Sequence, residues 1–281
     1  MTALRVLRLV ARRPTGAFGL VWLGLLAVGG VLSLFWTPFD PQQTDPGSAW
    51  LLPFTDGHVL GTDRIGHDQF SQLLVGARET LVVAVCSALV AAVVGLVLGL
   101  VAALGPRWVG FSAVALIDIL VAFPTLLLAM VLAAVYGSSL GTVVVAIGIG
   151  FGVAVARVAR AEITAVRGTD YVLAARVGGA GTGRIIRRHL LPNIAPTLIV
   201  QLSLVMALAV LVEAALTYLG YGSAPSSPSW GGMLHEQQAH IAARPLLVIW
   251  PGLAVALTVL AFNLLGDALR EATDPRLVRT R

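Results

Sequence analysis

No lysine occurs among the 281 residues, and all nineteen basic side chains are arginine. A phosphate-cradling loop of the G-x-x-x-x-G-K-[ST] type needs its lysine on the phosphates, so any nucleotide-driven step would draw its nucleotide site from another subunit. Cysteine is almost absent: the single Cys86 lies in an apolar run, which excludes an internal disulfide. Charge is scarce, with 12% of residues charged and 57% apolar at a mean hydropathy of +0.88, whereas soluble domains carry roughly a quarter charged residues. That balance excludes a soluble globular chain. The five histidines lie outside the apolar runs, leaving no buried base for a serine nucleophile there. They do not space as metal ligands either: His58 and His67 are nine apart, His235 and His240 five apart, and none has a cysteine partner.

What is present is a series of apolar runs of about 20 residues, the length that crosses a bilayer as a helix, without the short alternating segments of a barrel. The runs fall at 16–36, 80–104, 110–135, 141–156, 195–219 and 246–265, which predicts an all-α integral membrane chain of six spans. The predicted organisation is an amphipathic segment at 1–14, a first span within 15–37, an outer loop at 38–78, a five-helix core at 79–270 and a tail at 271–281. Arg5, Arg8, Arg12 and Arg13 among apolar neighbours suit a helix lying on an anionic membrane surface, and Pro14 ends it. The 38–78 loop is rich in proline and carries five aspartates. A second outer loop covers 221–245. Gly95 and Gly99 stand in small-xxx-small register for close helix packing. Sixteen of the arginines fall on one side of such a topology, and only Arg64, Arg78 and Arg244 on the other. The positive-inside rule then places both termini in the cytoplasm.

Two carboxylates, Asp118 and Glu213, fall inside spans. A carboxylate there is costly unless hydrated or paired, so each marks a water-filled path or a structural contact. The other polar landmark is 171–192, the one long polar stretch between spans. Thr169 or Asp170 caps a short helix through Ala175, and Gly178, Gly179 and Gly181 break it. A second helix runs from Thr182 until Pro192 stops it. Arg184, Arg187 and Arg188 share one face of that second helix. The result is a compact basic element with a small-residue patch, shaped to dock into a groove.

Within this element Ala174-Ala175, three residues, Gly179, nine residues and His189-Leu190-Leu191-Pro192 resemble the coupling-loop motif of ABC-importer membrane subunits, with Leu173 where that family usually has glutamate. The stretch from His58 through Gly61-Thr62-Asp63-Arg64 to Asp68 and Arg78 is similar to the signature before the second span of dipeptide and oligopeptide permeases. So are Ile117-Asp118 to Phe123-Pro124, where the proline breaks the third span, Glu213 to Gly222 leading into Pro228-Ser229-Trp230-Gly231, and the ending Asn263, Gly266-Asp267, Arg270 and Asp274-Pro275-Arg276.

The resemblance covers 14–277 and implies a type I ABC importer permease fold with a cytoplasmic coupling helix inside 158–192. It implies ATPase-coupling contacts at Tyr171, Ala174, Ala175, Gly179, Arg187, His189, Leu191 and Pro192, and a translocation path whose candidates are Asp118, Phe123, Pro124 and Glu213. The implied partners are a second, different permease, two cytoplasmic ATPases that hold ATP and Mg, and an external substrate-binding protein. The chain itself would hold no cofactor and bind no nucleic acid, and it would reside in a bacterial inner membrane. Relatives of this type carry dipeptides, longer peptides, nickel complexes or haem. The rival from another class is a secondary transporter with ion coupling through Asp118 and Glu213, although the six spans show no evident inverted repeat.

Overall fold

Pro14 opens the first long helix, α1 (Pro14–Leu32), at the position where its missing N–H is harmless. The computed structural model describes residues 8–222 and 227–273. Residues 1–7 of the expected amphipathic segment, Pro225 and the closing Asp274-Pro275-Arg276 lie outside them. Helix α1 stops at Leu32, short of the expected 37. The Ser33 hydroxyl turns back to donate to the Gly30 carbonyl at 2.8 Å, and Pro38 biases the residue before it away from helix.

Helix α2 (Gln69–Leu104) is 36 residues long and begins eleven residues before the apolar run at 80. The reason is its cap: Asp68 accepts from the Ser71 N–H at 2.8 Å and from the Ser71 hydroxyl at 2.6 Å. At 1.5 Å per residue it is about 54 Å long, so its first three turns stand above a hydrocarbon core of about 30 Å. There they bury Gln69, Ser71, Gln72 and Glu79 beneath the outer loops.

The third span is broken. Helices α3 (Arg107–Val121) and α4 (Thr125–Tyr136) meet at 87° across three residues that include Phe123-Pro124. Proline removes an N–H and disfavours helix at the residue before it, so the chain turns there. Neither piece is long enough to cross alone. Helix α5 (Leu140–Arg167) starts at a Ser139 cap whose hydroxyl accepts from the Thr142 N–H at 3.1 Å, and it continues well past the expected limit at 156.

After the short α6 (Asp170–Val177), helix α7 (Thr182–Tyr218) runs straight through Pro192, where the sequence predicts a stop. A π turn at Ile186–Leu190 explains why: the Leu191 N–H reaches back five residues to the Ile186 carbonyl. The ladder is already offset when proline arrives, and the Asn193 amide donates to the His189 carbonyl at 2.6 Å. Helix α8 (Trp230–Gln237) lies in the second outer loop, and α9 (Pro245–Thr273) closes the described chain, running past the expected span end at 265. Among the described residues five helices are long and apolar enough to cross a membrane, and six spans result if the bent pair counts as one. No strand occurs among the described residues.

Lipid tails are as apolar as leucine, so helices in a bilayer associate by close contact rather than by expulsion of water. The α2–α5 seam shows this. A Cβ on Gly95 would lie 2.4 Å from Val155 Cγ1, one on Gly99 2.8 Å from Ala159 Cβ, and one on Gly148 2.5 Å from the Val90 Cβ. The helices approach because these positions have no side chain. Around the seam, Ala91, Val155, Ala159, Ile163, Ile185, Leu190 and Ile194 form one buried cluster. At one end of the bundle Arg13 pairs with Glu271, joining the start of α1 to the end of α9. At the other end Trp230 is buried against Gly76, where a Cβ would come within 2.5 Å of the indole, and its N–H donates to the Leu73 carbonyl at 3.1 Å. Replacing Gly95 with Leu should cost at least the roughly 1–3 kcal/mol typical of overpacking. Gly24→Leu, where nothing lies within 4 Å of the added Cβ, is the control. A thermal melt in detergent should show a lower midpoint for the first and little change for the second.

Candidate functional site

Thr169 precedes α6, but its hydroxyl does not cap that helix: it donates backwards to the Val166 carbonyl at 2.7 Å. Asp170 in the first turn supplies the negative charge that a helix N-terminus favours. The helix ends in a Schellman motif. The Ala180 N–H bonds the Ala175 carbonyl at 3.0 Å and the Gly179 N–H bonds Arg176 at 3.1 Å, with Gly179 at φ +79°. Glycine is the residue for that left-handed position.

One side chain fixes the whole element to the bundle. Val172 is fully buried among Ile163 of α5 and Ile185, Leu190 and Ile194 of α7. The rest of α6 faces outward: Tyr171, Leu173, Ala174, Arg176 and Val177 are exposed, Val177 at 87%. Ala175 is half-buried, while Gly179 and Pro192 are exposed. His189 and Leu191 are half-buried, and the His189 ring lies 6.0 Å from that of Tyr171. Arg184, Arg187 and Arg188 are exposed, while Ile185 and Leu190 turn inward. Of the expected docking residues, Tyr171 and His189 are thus brought together, whereas Leu191 packs against the buried cluster. The sequence reading named Leu173 only for the glutamate it replaces and missed Val177, although Val177 follows Tyr171 and Ala174 at helical spacing and could have been found that way. An apolar face left bare on a short polar-flanked helix marks a protein contact.

Of the four path candidates, Asp118, Phe123 and Pro124 are exposed, Phe123 at 62%. Asp118 accepts from Arg157 of α5 at 3.1 Å; Arg157 was read only as a cytoplasmic charge. Glu213 is different. It is 2% exposed, with Oε2 buried and lacking a hydrogen-bond partner among the described residues. It belongs to the interior beside Thr217 and does not face open space.

At the outer end, the aspartates of the first loop build structure. Asp63 accepts from the Ile65 and His67 N–H groups at 2.9 Å and meets the His67 ring at 3.0 Å, while Asp68 meets the His58 ring at 2.9 Å. Phe39 stacks on His58 with centroids 4.0 Å apart. The Ser48 hydroxyl and the Gly47 N–H donate to Asp45 and hold its carboxyl below its ordinary value. The two outer loops enclose a cavity of about 670 Å³ lined by Gln72, Thr217, Met233, His235 and Glu236 among others. Partial desolvation and the nearby Asp63 push the Glu236 carboxyl above its ordinary value.

The Gly179 turn can be tested by itself. Nothing lies within 4 Å of a Cβ there, so Gly179→Ala meets only the left-handed backbone cost of roughly 1–2 kcal/mol. Gly179→Asn should cost less, since asparagine visits that conformation more readily. Hydrogen exchange over 170–182 should rank glycine, asparagine and alanine in falling protection.

Residues 95–279 match the family described as binding-protein-dependent transport system inner membrane component. The chain is 36% identical over 274 residues to the glutathione transport system permease protein GsiD of Pectobacterium atrosepticum, covering 96% of this chain and 89% of that one. It is 39% identical over 270 residues to the di/tripeptide transport system permease protein DppC of Pseudomonas aeruginosa, covering 93% and 88%. The nickel transport system permease protein NikC of Escherichia coli is 36% identical over 259 residues, covering 92% and 93%. The fold is similar to that of a chain in the inward-facing MetNI methionine ABC transporter, with a TM-score of 0.60 at 20% identity over 72% of this chain and 97% of that one. The family match over more than half of the residues and the curated relatives over nearly all of them lead to one conclusion: the chain belongs to the inner-membrane permease components of binding-protein-dependent transport systems.

Proposed function

We propose that this chain is one of two different permease subunits of an ATP-driven importer that moves di- and oligopeptides inward across a bacterial inner membrane. The observation that carries the reading is α6, held by Val172 and presenting Tyr171, Leu173 and Val177 bare. Two cytoplasmic ATPases receive that helix and hold ATP and Mg, since no lysine is available here for a phosphate loop. Tyr171, Ala174, Ala175, Gly179, Arg187, His189, Leu191 and Pro192 are assigned to that contact. Both termini lie on the arginine-rich cytoplasmic side. An external binding protein delivers the ligand to the outer loops, where the cavity under α8 opens.

Movement of the ATPases is transmitted through Val172 to Ile163 and Ile185, and hence to α5 and α7 together. A shift of those helices alternates the path between an outward and an inward opening. Each state is favoured in turn by differential contacts with the ATPases and the loaded binding protein. Asp118, Phe123 and Pro124, on the exposed elbow of α3 and α4, are assigned to the path. The similarity to NikC supports a second reading in which the same architecture carries a nickel complex.

The test is to purify the tagged chain in mild detergent and measure ATP hydrolysis by whatever copurifies, with binding protein that is empty, peptide-loaded or nickel-loaded. Copurified ATPases stimulated by the peptide-loaded form support peptide import, and stimulation by the nickel-loaded form alone supports the second reading. Purification without any ATPase overturns both. Ala175→Glu should abolish the stimulation while leaving the ATPases bound.

A further inference from the structure

The Asp118–Arg157 pair has both side chains more than half exposed, at 61% and 56%, and yet both stand at membrane depth. Asp118 is ten residues above Trp108, an 86% exposed aromatic at the start of α3, or about 15 Å along the axis. Arg157 is seventeen residues from Leu140, the outer end of α5, or about 26 Å. Measured from opposite faces, the two distances sum to about 41 Å, more than a hydrocarbon core of about 30 Å, so the pair stands in its cytoplasmic half. An exposed charge pair at that depth does not face lipid, because intramembrane charges turn toward protein or water.

The neighbouring residues decide between those two. Beside the pair, Ile117 packs with Val153 and Ala156 to close the α3–α5 seam, so the pair stands on the rim of a packed contact and not within it. Below it the exposed face of α5 stays polar: Arg160, Thr164 and Arg167 follow Arg157 at i+3, i+7 and i+10. A polar stripe leading from the pair to the cytoplasmic end has the form of a wetted wall. The bond between the two side chains is a single 3.1 Å contact with its other donors and acceptor open, so it is screened by water and readily exchanged.

We propose that Asp118 and Arg157 form a zwitterion station in the translocation path, the carboxylate receiving the ammonium end and the guanidinium the carboxylate end of a transported peptide as the two side chains part. This rests on the peptide-import reading. A peptide with free termini presents the same two charges that the pair already satisfies in itself, so the exchange keeps every charge partnered. The arginines below would then draw the carboxylate end toward the cytoplasm.

The sole native cysteine makes a clean test, in a Cys86→Ser background carrying Asp118→Cys or Arg157→Cys within the assembled complex. Both positions should react with membrane-impermeant methanethiosulfonates, and a transported dipeptide should slow the reaction. In Asp118→Cys, where Arg157 is left unpaired, the anionic sulfonatoethyl reagent should react about threefold or more faster than the cationic trimethylammonioethyl reagent, and in Arg157→Cys the order should reverse. Reaction only with uncharged N-ethylmaleimide would place the pair against lipid. No reaction until the subunits are separated would place it against the partner permease. Either result overturns the proposal.

Because the cysteine variants could fail to assemble, Asp118→Asn and Arg157→Gln provide a second measurement. Peptide flux should fall about tenfold with the melting temperature of the complex unchanged. A lower melting temperature with unchanged flux overturns the proposal. Peptide-stimulated ATP hydrolysis of the unaltered complex is read in parallel. Its absence sinks the peptide-import reading, whereas its presence beside unreactive cysteines sinks only the station.

Discussion

Helices surrounded by hydrocarbon gain nothing from water leaving the gap between them, so this fold depends on how closely α2 and α5 can approach. Gly95, Gly99 and Gly148 let valine and alanine side chains of the opposite helix sit against bare backbone. Once that seam is fixed, α7 completes a buried cluster with it through Ile185, Leu190, Ile194 and Leu198. The other helices lie further out: α3 adds Ile117 against Val153 and Ala156, while Phe262 of α9 packs with Ala84 of α2 and Ala207 and Val210 of α7. The long helices project beyond the membrane at both ends, and those projections carry the polar chemistry.

The two ends of the bundle are built differently. The outer end is a ledge of turns in which the Asp63 and Asp68 carboxylates are occupied by backbone N–H groups and histidine rings, with Trp230 set into the space left by Gly76. Such a ledge resists deformation. The inner end carries a single short helix attached by one valine and one seam of isoleucines and leucines. Force applied to α6 therefore reaches α5 and α7 together and has few other routes into the bundle.

Much of this was legible in the amino-acid order. The spans follow from apolar length, the broken third span from Phe123-Pro124, and the elbow after α6 from Gly178-Gly179, because each is a local rule of hydrogen bonding or sterics. What the sequence withheld was non-local. That Arg157 meets Asp118 depends on α3 lying beside α5 at a particular height, which no spacing reveals. That Glu213 is enclosed depends on which way α7 is rotated, and the charge alone left both orientations open. The continuation of α7 through Pro192 was hidden for another reason: the offset of the ladder precedes the proline, and the rule for proline assumes a regular ladder.

That offset matters for how the two halves of α7 are phased. A π turn holds one residue more than the α-helical path it replaces, and one residue of α-helix is roughly 100° of rotation. The part of α7 that packs under α6 and the part that crosses the membrane therefore keep independent angular settings, joined by a single residue of slack at Ile186–Leu190. Ile185 and Leu190, five apart, both turn inward because of it. The segment beside α6 is clocked to pack against Val172, and the segment that crosses the membrane is clocked to suit its neighbours in the bundle.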